Sequence, residues 1–336
     1  MTMQVDRNVQ RPVLRGLPDA LTGLDRCLVM GVLNVTPDSF SDGGAFLGAE
    51  AAVAHGLAMV AEGADLVDVG GESTRPGAQR TDAEQETRRV LPVLRSLTDA
   101  GVPVSIDTMR ASTAAAAVDA GACLVNDVSG GLADESMART VADLGVPFVA
   151  MHWRGHSVDM DTRAVYDDVV TEVVTELESR LAALTAQGLD IDRIVIDPGL
   201  GFAKQGLHNW SLLGRLDALQ ALGRPVLLGA SRKGFLGTLL ADDSGDPRPA
   251  DRRADATTAL TAVLAARGAW GVRVHDVAGS ADAVRVVAAL DAAGSPARDA
   301  AGSPARDAAG NAARDAAGIP AREAVRGAAR DVGNPA

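Results

Sequence analysis

Eight short apolar segments alternate along this chain with longer segments of helical spacing, and this alternation constrains the fold more than any other feature. In chain order, the apolar segments are LVMGVLN, DLVDVGGEST, VPVSID, CLVND, PFVAMH, RIVID, PVLLGASRK and WGVRVH. The helical patterns fall at residues 50–62, 81–99, 110–120, 134–144, 166–187, 208–222, 254–267 and 279–293. Strands that alternate with helices pair in parallel, because each return crossover needs a helix. Eight such units close a barrel, so we predict an α/β fold of the (β/α)8 TIM barrel type.

A doubly wound open sheet is the structural alternative. That fold predicts a glycine-rich phosphate turn directly after the first strand, and GVLNVTPDSF is not such a turn. We therefore predict a single barrel domain over residues 27–291. Residues 1–26 are predicted to be an N-terminal extension that packs across the base of the barrel.

The character of the sequence changes at residue 292. An eight-residue repeat of the type AAGSPARD occurs at residues 292–299, 300–307, 308–315 and 316–323. Each copy carries glycine, usually with proline, and both residues disfavour helices. Bulky apolar side chains are almost absent, so burial cannot offset the entropy of ordering. We predict that residues 292–336 form a disordered tail, and drift of a repetitive coding stretch explains it better than a binding function.

Charge and hydropathy exclude several classes of function. A net charge of -12 argues against a nucleic-acid surface, which needs clustered lysine and arginine. No window reaches the roughly 18 apolar residues of a membrane span, and the N-terminal segment lacks the apolar core of a signal peptide. Cys27 and Cys123 lie far apart, which predicts reduced structural thiols. We expect a cytoplasmic protein that binds small molecules and neither nucleic acid nor membrane.

Polar residues stand where the predicted strands end. In a parallel barrel the active site is built at the carboxyl ends of the strands, so these residues should meet. Asp107, Asn126, Asp197 and Lys233 together offer acceptors, an amide and a cation. This set is complementary to a flat heterocycle that carries an amino group, ring N–H donors and a carbonyl. A structural hydrogen-bond network is the alternative.

The last two strands point to an anionic ligand. Arg273 and His275 are two residues apart on the eighth strand, so both should face the same side. Two cations on one face are hard to explain without an anion between them, and barrel loops after strands seven and eight commonly hold phosphate. The loop VTPDSFSDGG after the first strand has the composition of a mobile lid. Thr74 and Arg75 follow the second strand and suit phosphate oxygens, although each loop alone would more often be a surface turn.

Taken together, the motifs at these strand ends are specific enough to indicate a family. They are MGVLNVTPDSFSDGG (30–44), VDVGGESTRPG (67–77), SIDT (105–108), VNDVSGG (125–131), DPGLGFAK (197–204), GASRK (229–233) and RVHD (273–276). In this order they resemble dihydropteroate synthase, from about residue 28 to residue 290. The segment MHWRG is similar to the actinobacterial branch of that family.

The resemblance implies a reaction and the residues that carry it. The family joins p-aminobenzoate to 6-hydroxymethyl-7,8-dihydropterin diphosphate, which gives 7,8-dihydropteroate for folate biosynthesis and releases diphosphate. The expected pterin ligands are Asp107, Asn126, Asp197 and Lys233. The expected diphosphate ligands are Thr74, Arg75, Arg273 and His275. The expected p-aminobenzoate site consists of Phe40, Thr74, Pro76, Phe202 and Lys233. The expected catalytic residues are Asp197, Lys233, Arg273 and His275.

The resemblance also implies Mg²⁺, a mechanism and an assembly. Asn34 is expected to ligate Mg²⁺, with diphosphate oxygens completing the coordination shell. Cleavage of the C–O bond of the pterin methylene should precede attack by the amine, without a covalent enzyme intermediate. A homodimer through the outer helices is expected, as is susceptibility to sulfonamides, which mimic aminobenzoate. Gly234 departs from relatives that often have serine or arginine there, and the repeat tail, which is not part of the family pattern, should be dispensable for activity.

Two other functions share the predicted barrel. Methyltetrahydrofolate:corrinoid methyltransferases bind a pterin without releasing diphosphate, so Lys233, Arg273 and His275 would then lack a purpose. A catalytically silent paralogue would bind the pterin without turnover, but such a copy should have damaged loops, and both loop motifs are intact here.

Overall fold

The computed structural model describes residue 12 and residues 14–36, 44–72, 81–155 and 160–294. The chain divides into two units, Met1–Asp291 and Ala292–Ala336, and the description that follows concerns the first. Beyond residue 294 the predicted tail lies outside the described residues, so its disorder and the proposed domain boundaries stay predictions.

Eight parallel strands form the centre of the structure. Their bounds are β1 Leu28–Asn34, β2 Leu66–Gly70, β3 Val104–Asp107, β4 Leu124–Asp127, β5 Phe148–Met151, β6 Ile194–Asp197, β7 Leu227–Leu228 and β8 Gly271–Val274. They pair in the order β6-β5-β4-β3-β2-β1-β8-β7, with every named pair parallel. All eight predicted strands are present, each within its apolar segment.

The two outer strands of this order, β6 and β7, meet and close the sheet. Ile196 in β6 forms a parallel bridge with Val226, which directly precedes β7. The Ile196 N–H donates to the carbonyl of Pro225 at 2.9 Å. The predicted TIM barrel is therefore confirmed, and the doubly wound alternative is excluded because its sheet would stay open.

Helices alternate with the strands; the first helix precedes β1, and the later ones cover the outside of the barrel. They are α1 Asp19–Thr22, α2 Gly44–Glu62, α3 Ala83–Asp99, α4 Ala111–Asp119, α5 Met137–Leu144, α6 Val169–Ala186, α7 Gly206–Gly214, α8 Leu216–Gln220, α9 Gly234–Leu239, α10 Ala254–Ala266 and α11 Val277–Ala293. Short 3-10 helices occupy Met160–Arg163, Ile191–Arg193 and Ala250–Arg252. None of the described helices combines the length and the apolar character that crossing a membrane requires.

The helix predicted over residues 208–222 is two helices. Arg215, at φ -113° and ψ 45°, separates α7 from α8. Its backbone leaves the helical region immediately after Gly214, a residue with low helix propensity. The apolar spacing continues across the break because Leu212, Leu216 and Leu219 are all buried. For that reason the apolar spacing of the sequence could not reveal the break between the two helices.

The amino ends of the strands are closed by a layer of apolar side chains. This buried layer consists of Leu28, Met30, Leu66, Leu124, Val149, Val195 and Leu227. Leu14, Leu17 and Leu21 of the N-terminal segment belong to the same buried cluster. The described part of this segment therefore packs across the base of the barrel and leaves the carboxyl ends of the strands as the place for a site.

We expect Leu21→Ala to lower the free energy of unfolding by about 2–3 kcal/mol, because a buried leucine loses transfer energy and leaves a cavity. Leu21 is buried against the base layer. Urea denaturation followed by circular dichroism measures the loss. Leu207→Ala, on an exposed leucine of α7, is the matched control and should change stability by less than about 0.5 kcal/mol. Equal losses of stability in the two variants would contradict the packing of the N-terminal segment against the base of the barrel.

Candidate active site

Alternation along the strands places the functional side chains inside the barrel. Side chains two residues apart on a strand share a face. Asp68, Asn126 and Asp197 each follow a base-layer residue by two positions, on β2, β4 and β6 respectively. They form the next layer toward the carboxyl ends of the strands, and all three are buried.

Asp68 is the centre of this layer. Its side chain is 0% exposed and accepts three hydrogen bonds, each from a different strand. Ser105 Oγ on β3 donates to Oδ1 at 2.6 Å, Asn126 Nδ2 on β4 donates to Oδ2 at 2.9 Å, and Arg273 Nε on β8 donates to Oδ2 at 2.6 Å. A buried carboxylate is tolerated only when it is paired and hydrogen-bonded in this way.

Arg273 connects Asp68 to Asp107. Its Nη2 donates to Asp107 Oδ2 at 2.6 Å, so one guanidinium binds two carboxylates on neighbouring strands. Burial raises the pKa of Asp107 to about 7, although the positive charge of Arg273 opposes this rise. Burial and the neighbouring guanidinium therefore act on the Asp107 carboxyl in opposite directions.

Arg273 and His275 both have partners within the protein, so their presence on one strand does not by itself require a ligand anion. Arg273 already has two protein carboxylates. His275 is oriented by the segment that follows β7, because its Nδ1 lies 3.0 Å from Ser231 Oγ and its backbone N–H donates to the same oxygen at 3.1 Å. Contacts within the protein therefore account for much of the pairing that the sequence analysis assigned to a phosphate. The diphosphate-binding roles of Arg273 and His275 stay predictions.

Asp197, Phe202 and Lys233 form the other side of the rim. Asp197 Oδ1 accepts the Gly199 N–H at 2.7 Å, and burial raises the pKa of this carboxyl. Lys233 Nζ lies 4.0 Å from the centroid of the Phe202 ring, a cation–π distance. Burial, reinforced by the charge of Arg273, lowers the pKa of Lys233 to about 8.

Sequence reasoning missed a chain of polar contacts beside this rim. Lys204 Nζ lies 2.9 Å from His152 Nδ1 and donates to the Phe202 carbonyl at 3.1 Å. His152 Nε2 lies 2.9 Å from Glu176 Oε2 on α6. Asp68 was also left without a role. Two features of the sequence could have indicated them. The two-residue spacing from Leu66 points to Asp68, and the presence of only two lysines in the whole sequence points to Lys204.

The structure brings several of the predicted site residues together. Asp107 contacts Arg273 directly, and Asn126 reaches the same guanidinium through Asp68. Lys233 and Phe202 contact each other. Four predicted residues lie outside the described part of the chain: Phe40, Thr74, Arg75 and Pro76.

The described residues contain no group of three or more histidine, cysteine, aspartate or glutamate side chains that could hold a metal ion. Asn34 ends β1 at the carboxyl rim and is partly exposed there. An amide oxygen suits Mg²⁺, which keeps several waters and takes its other ligands from substrate phosphates. A single protein ligand at the rim therefore fits a metal that binds together with a diphosphate.

Comparison with known proteins decides the family. A sequence model described as pterin binding enzyme matches residues 30–275. The dihydropteroate synthase of Mycobacterium leprae is 57% identical over 262 residues, which cover 78% of this chain and 92% of that protein. This chain belongs to the dihydropteroate synthase family. The family assignment made from the strand-end motifs is confirmed.

Solved dihydropteroate synthase structures share the fold. The Xanthomonas albilineans enzyme with 4-aminobenzoic acid is 46% identical, has a TM-score of 0.73, and is matched over 80% of this chain and 94% of that one. The same enzyme in complex with 7,8-dihydropteroate is 43% identical, with a TM-score of 0.71 and coverage of 80% and 95%. The barrel of this dihydropteroate synthase family member is therefore that of its relatives over nearly their whole length.

We expect Asp68→Asn to lower the free energy of unfolding by about 3 kcal/mol, since it removes a carboxylate that balances a buried arginine. The measurement is urea denaturation at pH 7. Ser105→Ala is the matched control because it removes one hydrogen bond to the same carboxylate without changing charge, and it should cost about 1 kcal/mol. If the two variants lose the same stability, Asp68 is not the centre of the layer.

Proposed function

We propose that the carboxyl rim of this barrel carries out the dihydropteroate synthase reaction in two steps, bond cleavage followed by amine attack. The reaction condenses 6-hydroxymethyl-7,8-dihydropterin diphosphate with p-aminobenzoate to 7,8-dihydropteroate and diphosphate. One observation carries the proposal, namely the buried polar layer in which Asp68, Asp107, Asn126 and Arg273 bind one another. Such a layer is already organised before substrate binds, which is what electrostatic stabilisation of a transition state requires.

We assign the pterin ring to Asp107, Asn126, Asp197 and Lys233. Two carboxyl groups with raised pKa values can each match a ring N–H or a ring nitrogen, depending on their protonation. When the C–O bond of the pterin methylene breaks, the electron pair leaves with diphosphate and positive charge develops on the pterin. Asp197, as carboxylate, would stabilise that charge. No covalent bond to the protein is needed.

We assign the departing diphosphate to Thr74, Arg75, Arg273 and His275. The fixed position of Arg273 supports this, because two carboxylates hold its guanidinium in place inside the barrel. The pKa of Arg273 lies above its usual value because Asp68 and Asp107 outweigh the effect of burial. Asn34 would hold Mg²⁺, which when bound supplies positive charge to the diphosphate oxygens.

We place p-aminobenzoate against Phe40, Thr74, Pro76, Phe202 and Lys233. A relative of known structure binds 4-aminobenzoic acid, and its chain is 46% identical to this one. The contact between Lys233 and the Phe202 ring supports a slot that is apolar on one face and cationic at its edge. The amine nitrogen forms the new C–N bond with the methylene carbon and then loses a proton. Aromatic amines are weak bases, so the attacking nitrogen is unprotonated at neutral pH.

We expect diphosphate release only when the pterin diphosphate, p-aminobenzoate and Mg²⁺ are all present. A coupled diphosphate assay on the full chain measures it, and a chelator should abolish the signal. Tight binding of the pterin diphosphate without release would indicate the silent paralogue instead. A pterin–protein adduct in mass spectra of the quenched reaction would contradict the two-step mechanism.

Asn34 provides the control for the metal. Asn34→Ala should raise the Mg²⁺ concentration for half-maximal activity by about tenfold, since one ligand is lost. Asn34→Asp keeps an oxygen ligand at the same position and should restore the wild-type requirement or lower it. The assignment is wrong if both variants respond to Mg²⁺ as the wild type does.

We propose a homodimer through helices α10 and α11. Val263 on α10 and Val286 and Leu290 on α11 are large apolar side chains that are exposed in the single chain. Burial of such side chains against a second copy would remove them from water. Sedimentation equilibrium should give twice the chain mass of 34.4 kDa. Leu290→Asp should return the protein to the monomer mass, and a wild-type monomer at micromolar concentration would refute the proposal.

We also propose the cytoplasm as the location. Cys27 is buried and Cys123 is partly buried, which suits structural thiols in a reducing compartment. Burial raises the pKa of the Cys123 thiol to about 11, so this cysteine stays protonated and unreactive at neutral pH.

A further inference from the structure

The sequence contains only two lysines among its 32 lysine and arginine residues, and both lie at the active site. Lys233 has a role in the proposed function, whereas Lys204 has none. Arginine carries its charge at any physiological pH, while the lysine amine is compact and loses its proton readily when buried. Every other basic side chain of the lysine and arginine type in this sequence is arginine. The proposed function explains the lysine at position 233 and leaves the lysine at position 204 without a role.

Lys204 lies inside the loop that connects β6 to α7. Its side chain is 7% exposed, and its Nζ lies 2.9 Å from His152 Nδ1 and 3.1 Å from the Phe202 carbonyl. A Cβ atom at Gly199 would lie 3.5 Å from Lys204 Nζ and 2.5 Å from the His152 carbonyl. The loop therefore wraps closely around the lysine amine and the histidine.

The loop over residues 197–204 needs such support. It begins at Asp197 and contains Phe202, so it carries one proposed pterin ligand and one proposed aminobenzoate contact. Gly199 and Gly201 have positive φ values of 69° and 74°, and Ala203, which is not glycine, has a φ of 48°. A non-glycine residue in this region is strained and persists only when surrounding contacts hold it. Lys204 supplies one such contact through the Phe202 carbonyl.

Glu176 determines which nitrogen of His152 carries the proton. A carboxylate can only accept a hydrogen bond, so His152 Nε2, at 2.9 Å from Glu176 Oε2, must be the protonated nitrogen. Burial lowers the pKa of His152 to about 4, so the ring is neutral near pH 7 and its Nδ1 is an acceptor. Lys204 therefore donates to His152 Nδ1. Glu176 in turn is held by Arg154, which also binds Glu172 at 2.8 Å.

We propose that Lys204, oriented by His152 and Glu176, is a positioning residue that holds the 197–204 loop so that Phe202 forms one wall of the aminobenzoate slot. The inference rests on the proposed function, because it assigns Phe202 to that slot. It predicts an effect on p-aminobenzoate rather than on the pterin, since Lys204 contacts the Phe202 carbonyl and no proposed pterin ligand by a hydrogen bond.

The charge of Lys204 gives the proposal a pH signature. Burial lowers its pKa to about 7; Asp197 and Glu176 oppose this effect, and Arg154 and Lys233 reinforce it. The ammonium form is the stronger donor to both acceptors. The KM for p-aminobenzoate should therefore rise as the pH increases through about 7. Removal of the Glu176 charge destabilises the ammonium and should move this rise to lower pH.

Glu176→Gln and Glu172→Gln are a matched pair that tests this signature. Each removes one carboxylate from Arg154, but only Glu176 contacts His152. In Glu176→Gln the pH at which the KM for p-aminobenzoate rises should fall by about one unit, the scale on which a lost charge partner moves a pKa. In Glu172→Gln it should stay at the wild-type value. Equal profiles in the two variants would overturn the proposal.

Lys204→Met tests the loop directly. The KM for p-aminobenzoate should rise about tenfold, because a charged hydrogen bond to the loop is lost, while the Kd for the pterin diphosphate changes less than about twofold. Equal weakening of both substrates would indicate a general structural role and overturn the inference. If Lys204→Met does not fold, the comparison of Glu176→Gln with Glu172→Gln still tests the proposal. Failure of the wild type to release diphosphate would refute the proposed function itself, which is a different result.

Discussion

The ion pair between Asp68 and Arg273 is the interaction on which the rest of the site depends. The two residues are separated by 205 positions in the sequence and meet at 2.6 Å inside the barrel. Removing a carboxylate from water is costly, and the cost is offset here by donors from three strands. As a result, Arg273 is held where it also binds Asp107, and Asn126 is held beside them. The geometry of four strand ends thus follows from one buried charge.

Around this pair, burial moves the pKa values of several ionisable groups toward neutral pH. The pKa values of Asp107, Lys204 and Lys233 are shifted to about 7, 7 and 8, in each case mainly by loss of hydration. A reaction that separates a cation from diphosphate is stabilised by charges that are already in place when the bond breaks. The low-dielectric rim supplies such charges because acids and amines stand close together in it. Perturbed pKa values of this kind are typical of functional sites.

Much of the fold could be read from the chain. The eight strands were found because each is a short apolar run followed by a helical pattern, and this local signal survives in the structure. The break between α7 and α8 was missed because apolar spacing continues through Arg215. In the site, Asp107 and Asn126 were recognised by their motifs. Lys204 was overlooked although its motif was noted, because its partner His152 lies 52 residues away.

By itself, the sequence determined which residues face the barrel interior, since a strand residue shares a face with its second neighbour. It also determined the family, through the order of motifs at the strand ends. Only the tertiary structure decided which of the inward groups bind one another. Arg273 could have faced a ligand alone, but barrel closure brings β8 beside β1, close to the carboxylates of β2 and β3. Pairing of charges depends on distances that exist only after the barrel closes, so no local pattern encodes it.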